Sequence, residues 1–159
     1  MEGSEKKMKK ILVPVDGSEF SERALLKAKE LADCLGSKIF LLTVSNVMIS
    51  ALNYQPSRLI HTQASTIDWA GLMEKTRQNS EELLEKAKES LGDLDVETIL
   101  IEEPIGRVAD NIVEIAKEKD VDLIVMGSNG IGSLGRRLYL GSVTNKVLHM
   151  TKKPVMVIQ

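Results

Sequence analysis

The segment 121–143, VDLIVMGSNGIGSLGRRLYLGSV, holds residue types suited to binding an anion. An apolar run ends at Met126, and a loop follows with Gly127, Gly130, Gly132 and Gly135, four glycines within nine residues. Glycine lets a backbone turn with positive φ and approach a ligand with no Cβ in the way. Arg136 and Arg137 come next, and Gly141-Ser142 opens a helical pattern. The first turn of a helix offers unpaired N–H groups and the positive end of its dipole, which together suit a phosphate. Ser142 adds a hydroxyl to those groups. Far upstream, a second apolar run ends in Pro14-Val15-Asp16-Gly17-Ser18. The Asp16 carboxylate can accept a hydrogen bond from an adenine amino group or a ribose hydroxyl, with Pro14 and Val15 walling the base. A plainer reading stands beside it, since Asp and Gly are ordinary turn residues and Ser18 can cap a helix. One strand end with an acid and another with a glycine loop describe a nucleotide site.

Short β-rich runs alternate with helical periodicity along the whole chain. Residues 10–15, 38–44, 96–101, 121–126 and 154–158 read as strands. Pro14 is tolerable only near a strand end, because it has no N–H for the ladder. The first helix is capped by Ser18 or Ser21, carries Ala24, Leu25, Ala28, Leu31, Ala32 and Leu35 as its apolar stripe, and stops at Gly36. A second helix starts near Ser65 or Asp68 and runs to Leu91; a third spans 106–119 with Val108, Ile112, Ile115 and Ala116 inward; a fourth spans 142–151. Residues 46–65 read as a long loop. Strands alternating with helices imply parallel pairing, right-handed crossovers and helices on both faces of one sheet. Ligands in such sheets sit beyond the carboxyl ends of the strands, where the strand order reverses. Asp16 and Gly127 each follow a strand directly, so they share that edge.

Composition narrows the function. With 159 residues the chain fits one domain, 1–159, with a full core and a flexible start over 1–8. A net charge of −2 gives no case for nucleic acid, and two Phe, two Tyr and one Trp are too few for a base-stacking platform. The single cysteine, Cys34, excludes an internal disulfide framework, suits a reducing cytoplasm and is expected in the core. No run approaches the roughly twenty apolar residues of a membrane span. His61 and His149 have no His, Cys or acid at ligand spacing, so no metal held by protein side chains is expected. Gly130, Gly132 and Gly135 fit the dinucleotide pattern G-x-G-x-x-G, but three loop residues precede it and no acid closes the next strand, PVMVIQ. No GxxxxGK[ST] occurs, which argues against P-loop enzymes.

These features together resemble the universal stress protein family, in its ATP-binding branch, across essentially the whole chain. The resemblance rests on ILVPVDGSEFSERAL, on LLTV at the end of the second strand, on DLIVMGSNG and on LGSVTNKVLHMTKKPVMVI. The family's phosphate signature is Gly-x2-Gly-x9-Gly-Ser/Thr. Gly127, Gly130, Gly141 and Ser142 match its elements, with ten residues instead of nine between Gly130 and Gly141. Val108 stands where many relatives carry proline. The resemblance implies a Rossmann-like α/β fold: an open five-stranded parallel sheet ordered 3-2-1-4-5 with helices on both faces. It also implies that Asp16 contacts the nucleoside and that Val44 reaches the adenine edge through its backbone. Met126 and Gly127 would approach the ribose, and Gly130, Gly141, Ser142 and Val143 would hold the phosphates of ATP. Mg2+ or Mn2+ would bridge those phosphates, being held by them and by water more than by protein.

The function this implies is a cytoplasmic, ATP-binding stress-response regulator that acts as a nucleotide-dependent switch toward a protein partner the sequence does not identify. Hydrolysis is expected to be slow or partner-dependent, because the loop 127–142 has no acid to serve as a base. A homodimer is expected through the last strand, Pro154 to Ile158, whose apolar edge would pair with its symmetry mate. Two alternatives stay open: a dimeric stress-family scaffold that binds no nucleotide, and an adenylating enzyme of the related superfamily. The second would use a Ser-Gly-Gly-x-Asp-Ser or His-x-Gly-His motif, and neither is present.

Overall fold

The computed structural model describes residues 8–45, 68–102, 107–131 and 140–159. Five parallel strands, β1 (Lys10–Pro14), β2 (Lys38–Ser45), β3 (Val96–Glu102), β4 (Leu123–Gly127) and β5 (Val155–Ile158), form one sheet in the order β3-β2-β1-β4-β5. Among the described residues, four helices connect or follow them: α1 (Glu19–Leu35), α2 (Trp69–Leu91), α3 (Val108–Glu118) and α4 (Ser142–Met150). The strand order is the one the family resemblance implied. The loop 46–65, His61, Gly106, Gly132, Gly135, Arg136 and Arg137 lie outside the described residues.

Local chemistry sets the element boundaries. Ser18 Oγ accepts the Ser21 N–H at 3.2 Å, so Ser18 is the N-cap of α1. Gly36 ends that helix at φ 66°, a left-handed conformation that costs glycine little, and its N–H returns to the Ala32 carbonyl. Asp68 Oδ1 accepts the Gly71 N–H at 2.9 Å and starts α2 at Trp69. Pro14 is the last residue of β1, past the Ile11↔Leu123 and Leu12↔Ile124 pairs that join β1 to β4, so its missing N–H costs no ladder bond there.

Alternation along the strands separates two cores. Ile11, Val13, Ile39, Leu41, Leu123 and Val125 face one way, against Ala24, Leu25, Ala28 and Ala32 of α1 and Leu84, Ala87 and Leu91 of α2. Leu12, Phe40, Leu42, Ile124 and Met126 face the other way, against Ala109, Ile112, Ile115 and Ala116 of α3 and Val147 of α4. Each fully buried Leu or Ile contributes about 1.5–3 kcal/mol over leaving it in water. Most of the flexible start expected over 1–8 falls outside the described residues. Met8 is described, and it packs against the first core while its carbonyl accepts from Ser37 Oγ at 2.7 Å.

Cys34 corrects one expectation: it is exposed, not in the core. Two residues past Ala32 on a helix is a rotation of about 200°, which turns the thiol away from the sheet. Leu35, the last residue of α1, is likewise 46% exposed. At the amino-terminal edge of the sheet, Glu97 accepts from Lys119 Nζ and Lys38 Nζ, each at 2.9 Å, and both ammonium groups lie over the Phe40 ring. Those hydrogen bonds, from Lys119 first and then Lys38, hold the Glu97 carboxyl below its usual range.

Candidate nucleotide site at the carboxyl ends of β1 and β4

The order reverses between β1 and β4, and their carboxyl ends open on the same edge. Beyond β1, the Asp16 carboxylate accepts from both sides of the cleft between the strand ends. Its Oδ1 accepts the Ser18 N–H at 2.9 Å, which closes the turn into α1, and its Oδ2 accepts the Ile131 N–H at 3.3 Å. The turn reading of Asp16 therefore holds, and the same exposed side chain also reaches the glycine loop 115 residues away in sequence. Gly17 beside it has φ 80°.

The glycines serve close approach. Among the described glycines, positive φ occurs at Gly17, Gly36 and Gly92 and at none of the three loop glycines Gly127, Gly130 and Gly141. A Cβ on Gly130 would fall 2.7 Å from Asp16 Oδ2. On Gly127 it would fall 2.7 Å from Phe20 Cβ and 2.8 Å from the Phe20 carbonyl carbon, so the first turn of α1 lies directly on the end of β4. On Gly141 it would meet Asn129 Cα at 3.2 Å.

The four helix starts differ in what satisfies their first N–H groups. Ser18 caps α1, which also carries Glu19 and Glu22 in its first turn. Asp68 caps α2, and α3 has Asp110 in its first turn. The start of α4 has neither: its N-cap is Gly141, with no side-chain cap bond and no acid in the first turn. An uncapped helix start with no local anion is the one best prepared for an anionic ligand. It is anchored beside the strand end, because the Gly141 N–H donates to the Ser128 carbonyl at 2.8 Å and Thr144 Oγ1 donates to the Gly127 carbonyl at 2.8 Å.

The structure thus brings Asp16, Gly127, Gly130 and Gly141 into one neighbourhood, with Ser142 exposed and Val143 half-buried on the adjoining turn. Val15 is buried and donates its N–H to the Leu42 carbonyl at 2.8 Å, while Pro14 is half-buried. Val44 lies further along β2 than Leu42, the register partner of Pro14, and packs partly on the second core. The Met126 side chain belongs to that core, so only its backbone faces the strand edge. Sequence reading missed Phe20, Ser128, Ile131 and Thr144. Their partners are distant in the chain, and a Thr in a first helical turn carries no signal of where its hydroxyl goes. His149 is exposed in the last turn of α4, and among the described residues no group of three or more His, Cys, Asp or Glu converges as a metal site.

A doubly wound parallel α/β sheet with a glycine-bordered helix start at its switch point defines a Rossmann-like fold. The sequence profile described as the Universal stress protein family matches residues 7–159. The chain belongs to the universal stress protein family. It is 33% identical over 158 residues to Universal stress protein YxiE of Bacillus subtilis, covering 94% of this chain and 98% of that protein. It is 30% identical over 164 residues to Universal stress protein MJ0577 of Methanocaldococcus jannaschii, covering 95% of this chain and 94% of the relative. A solved structure of MJ0577 superposes with a TM-score of 0.67 over 96% of each chain. A universal stress protein from Archaeoglobus fulgidus, solved in complex with dAMP, shares the fold at 23% identity and a TM-score of 0.62, over 96% of this chain and 98% of its own.

Proposed function

We propose that this chain is an ATP-binding regulatory protein of the stress response whose surface changes with the nucleotide it holds. The observation that carries the reading is the uncapped, acid-free start of α4 facing Gly127 and Gly130, with Asp16 at the neighbouring strand end. In this assignment Asp16 holds the nucleoside, Pro14 and Val15 wall the base, and the Val44 backbone reads the adenine edge. The backbones of Met126 and Gly127 border the ribose. Gly130, Gly141, Ser142 and Val143 hold the phosphates with N–H groups and one hydroxyl, where charge-assisted bonds are strongest. The dAMP bound by the Archaeoglobus fulgidus protein, which has the same fold, supports the choice of an adenine nucleotide. The described side chains offer no carboxylate cage, so Mg2+ or Mn2+ would be held through the phosphates and water.

No acid lies in the loop 127–142, so hydrolysis is slow or needs a partner's residue. The place of action is the cytoplasm, which agrees with a single cysteine and with the absence, among the described residues, of a helix long and apolar enough to cross a membrane. The chain works as a homodimer through β5, whose apolar residues Val155–Ile158 are only half-buried at a sheet edge. A nucleotide-independent dimeric scaffold is the alternative, and the extra loop residue between Gly130 and Gly141 favours it.

Titration calorimetry with ATP and GTP, alongside mass measurement of nucleotide co-purified with the native protein, tests the reading. ATP is expected to bind in preference. Equal affinities would remove the base-reading role of Asp16 and Val44, and no binding of either nucleotide would leave the scaffold. Light scattering is expected to report a dimer at micromolar concentration, and a monomer would refute the β5 pairing.

A further inference from the structure

We propose that Thr144 is a positioning residue that sets the angle of the α4 start for phosphate. The inference rests on the nucleotide-binding reading above. Thr144 is the third residue of α4 and only 3% exposed. Its hydroxyl does not turn back to its own helix. It donates to the carbonyl of Gly127, the last residue of β4, at 2.8 Å across 17 residues of chain.

Among the described residues, two hydrogen bonds tie the α4 start to the end of β4. One is backbone to backbone, from the Gly141 N–H to the Ser128 carbonyl, and the other is the Thr144 hydroxyl. A helix end held by one bond can pivot about it. A second bond, one turn away and to the adjacent strand residue, fixes the tilt. What that tilt aims is the set of N–H groups on Ser142 and Val143, which no described side chain caps. Hydrogen bonds lose strength steeply as donor angles fall away from linear, so a small rotation of the helix start weakens every phosphate contact together. Val143 beside it and Val147 a turn further along pack on the second core and keep the helix attached without Thr144. The hydroxyl therefore governs aim more than attachment, and its effect falls on ligands that carry phosphate.

The test is calorimetric titration of the full chain with ATP and with adenosine, using wild type, Thr144→Val, Thr144→Ser and Thr144→Ala, with thermal melts of each. Thr144→Val keeps the shape and removes the donor. It is expected to weaken ATP by about fivefold or more, on the order of one hydrogen bond, and to leave adenosine unchanged. Thr144→Ser restores the hydroxyl and is expected to return ATP affinity close to wild type. If Thr144→Val does not fold, Ser against Ala decides the same question, since those two differ by the oxygen alone. Equal losses for ATP and adenosine, a Ser variant as weak as Val or Ala, or undiminished ATP binding without the hydroxyl would overturn the positioning role while the nucleotide reading stood. Failure of the wild type to bind either ligand would remove the nucleotide reading, and this inference with it.

Discussion

Replacing Asp16 with alanine separates the two jobs its carboxylate is placed to do. The side chain accepts from Ser18 N–H at 2.9 Å and from Ile131 N–H at 3.3 Å. The first is a good hydrogen bond of the capping kind, and the second is long. Both surround an exposed residue, so water replaces the carboxylate at little cost. Capping losses run from about 0.5 to 2 kcal/mol, and exposure puts Asp16→Ala toward the lower end of that range. Nucleotide binding should suffer more. A hydrogen bond to a charged partner that closes over the base and ribose is worth about 1.5–3 kcal/mol, or roughly ten- to a hundredfold in Kd. The loss should be the same for ATP and AMP, because the assignment proposed above sets Asp16 against the nucleoside and not the phosphates. Asp16→Asn keeps an acceptor for Ser18 and serves as the control for the turn. Melts without ligand and titrations with both nucleotides are the assay. A lowered melting temperature with unchanged affinity would return Asp16 to the turn alone. A larger loss for ATP than for AMP would place it at the phosphates, against the assignment made for it.

Gly130→Val should cut ATP affinity at least tenfold, about 1.4 kcal/mol, and weaken adenosine as well, because a Cβ at this position would fall 2.7 Å from Oδ2 of Asp16, the residue assigned to the nucleoside; normal ATP titration by this variant would show that the loop is not the phosphate cradle. Gly127→Ala should destabilise the whole domain by about 1–3 kcal/mol, since its methyl meets the Phe20 backbone and not a movable side-chain end, and an unchanged melting temperature would contradict that packing. Glu97 gives an acid-side signature. Its carboxyl is held below the usual range by Lys119 and Lys38, so its stabilising effect is complete above the ordinary glutamate range and is lost as pH falls through the lowered value. Glu97→Gln should therefore lower the melting temperature slightly at neutral pH and converge with wild type in strong acid, and a gap that widens on acidification would reverse the sign of the argument.

How much of this was legible in the sequence follows from how local each determinant is. Strand and helix types come from periods of two and 3.6 residues, and helix ends come from one or two residues. Asp68 and Gly36 mark their boundaries as expected, and of the two candidate serines Ser18 caps α1. The placing of Asp16 and Gly127 on one edge also follows from sequence, because parallel strands joined by right-handed crossovers put all their carboxyl ends together. The strand order itself came from family resemblance, since no local pattern distinguishes neighbours in a sheet. Periodicity also misjudged Cys34, which lay near an apolar stripe in sequence but on the far side of the helix in space.

Tertiary structure alone decided why the loop residues are what they are. The sequence offered positive φ or close approach to a ligand as the reason for these glycines, but Gly127 and Gly130 lack positive φ, and Phe20 and Asp16 stand within 3 Å of where a Cβ would be. Asp16 finds Ile131 and Thr144 finds Gly127 across long stretches of chain, and nothing in either neighbourhood encodes the partner. The physical reason is range. A propensity or a cap is an interaction of a residue with its own turn, and the sequence carries it whole. The aim of a helix start at a strand end depends on two elements packed by burial on both faces of a sheet, and it exists only once they are packed.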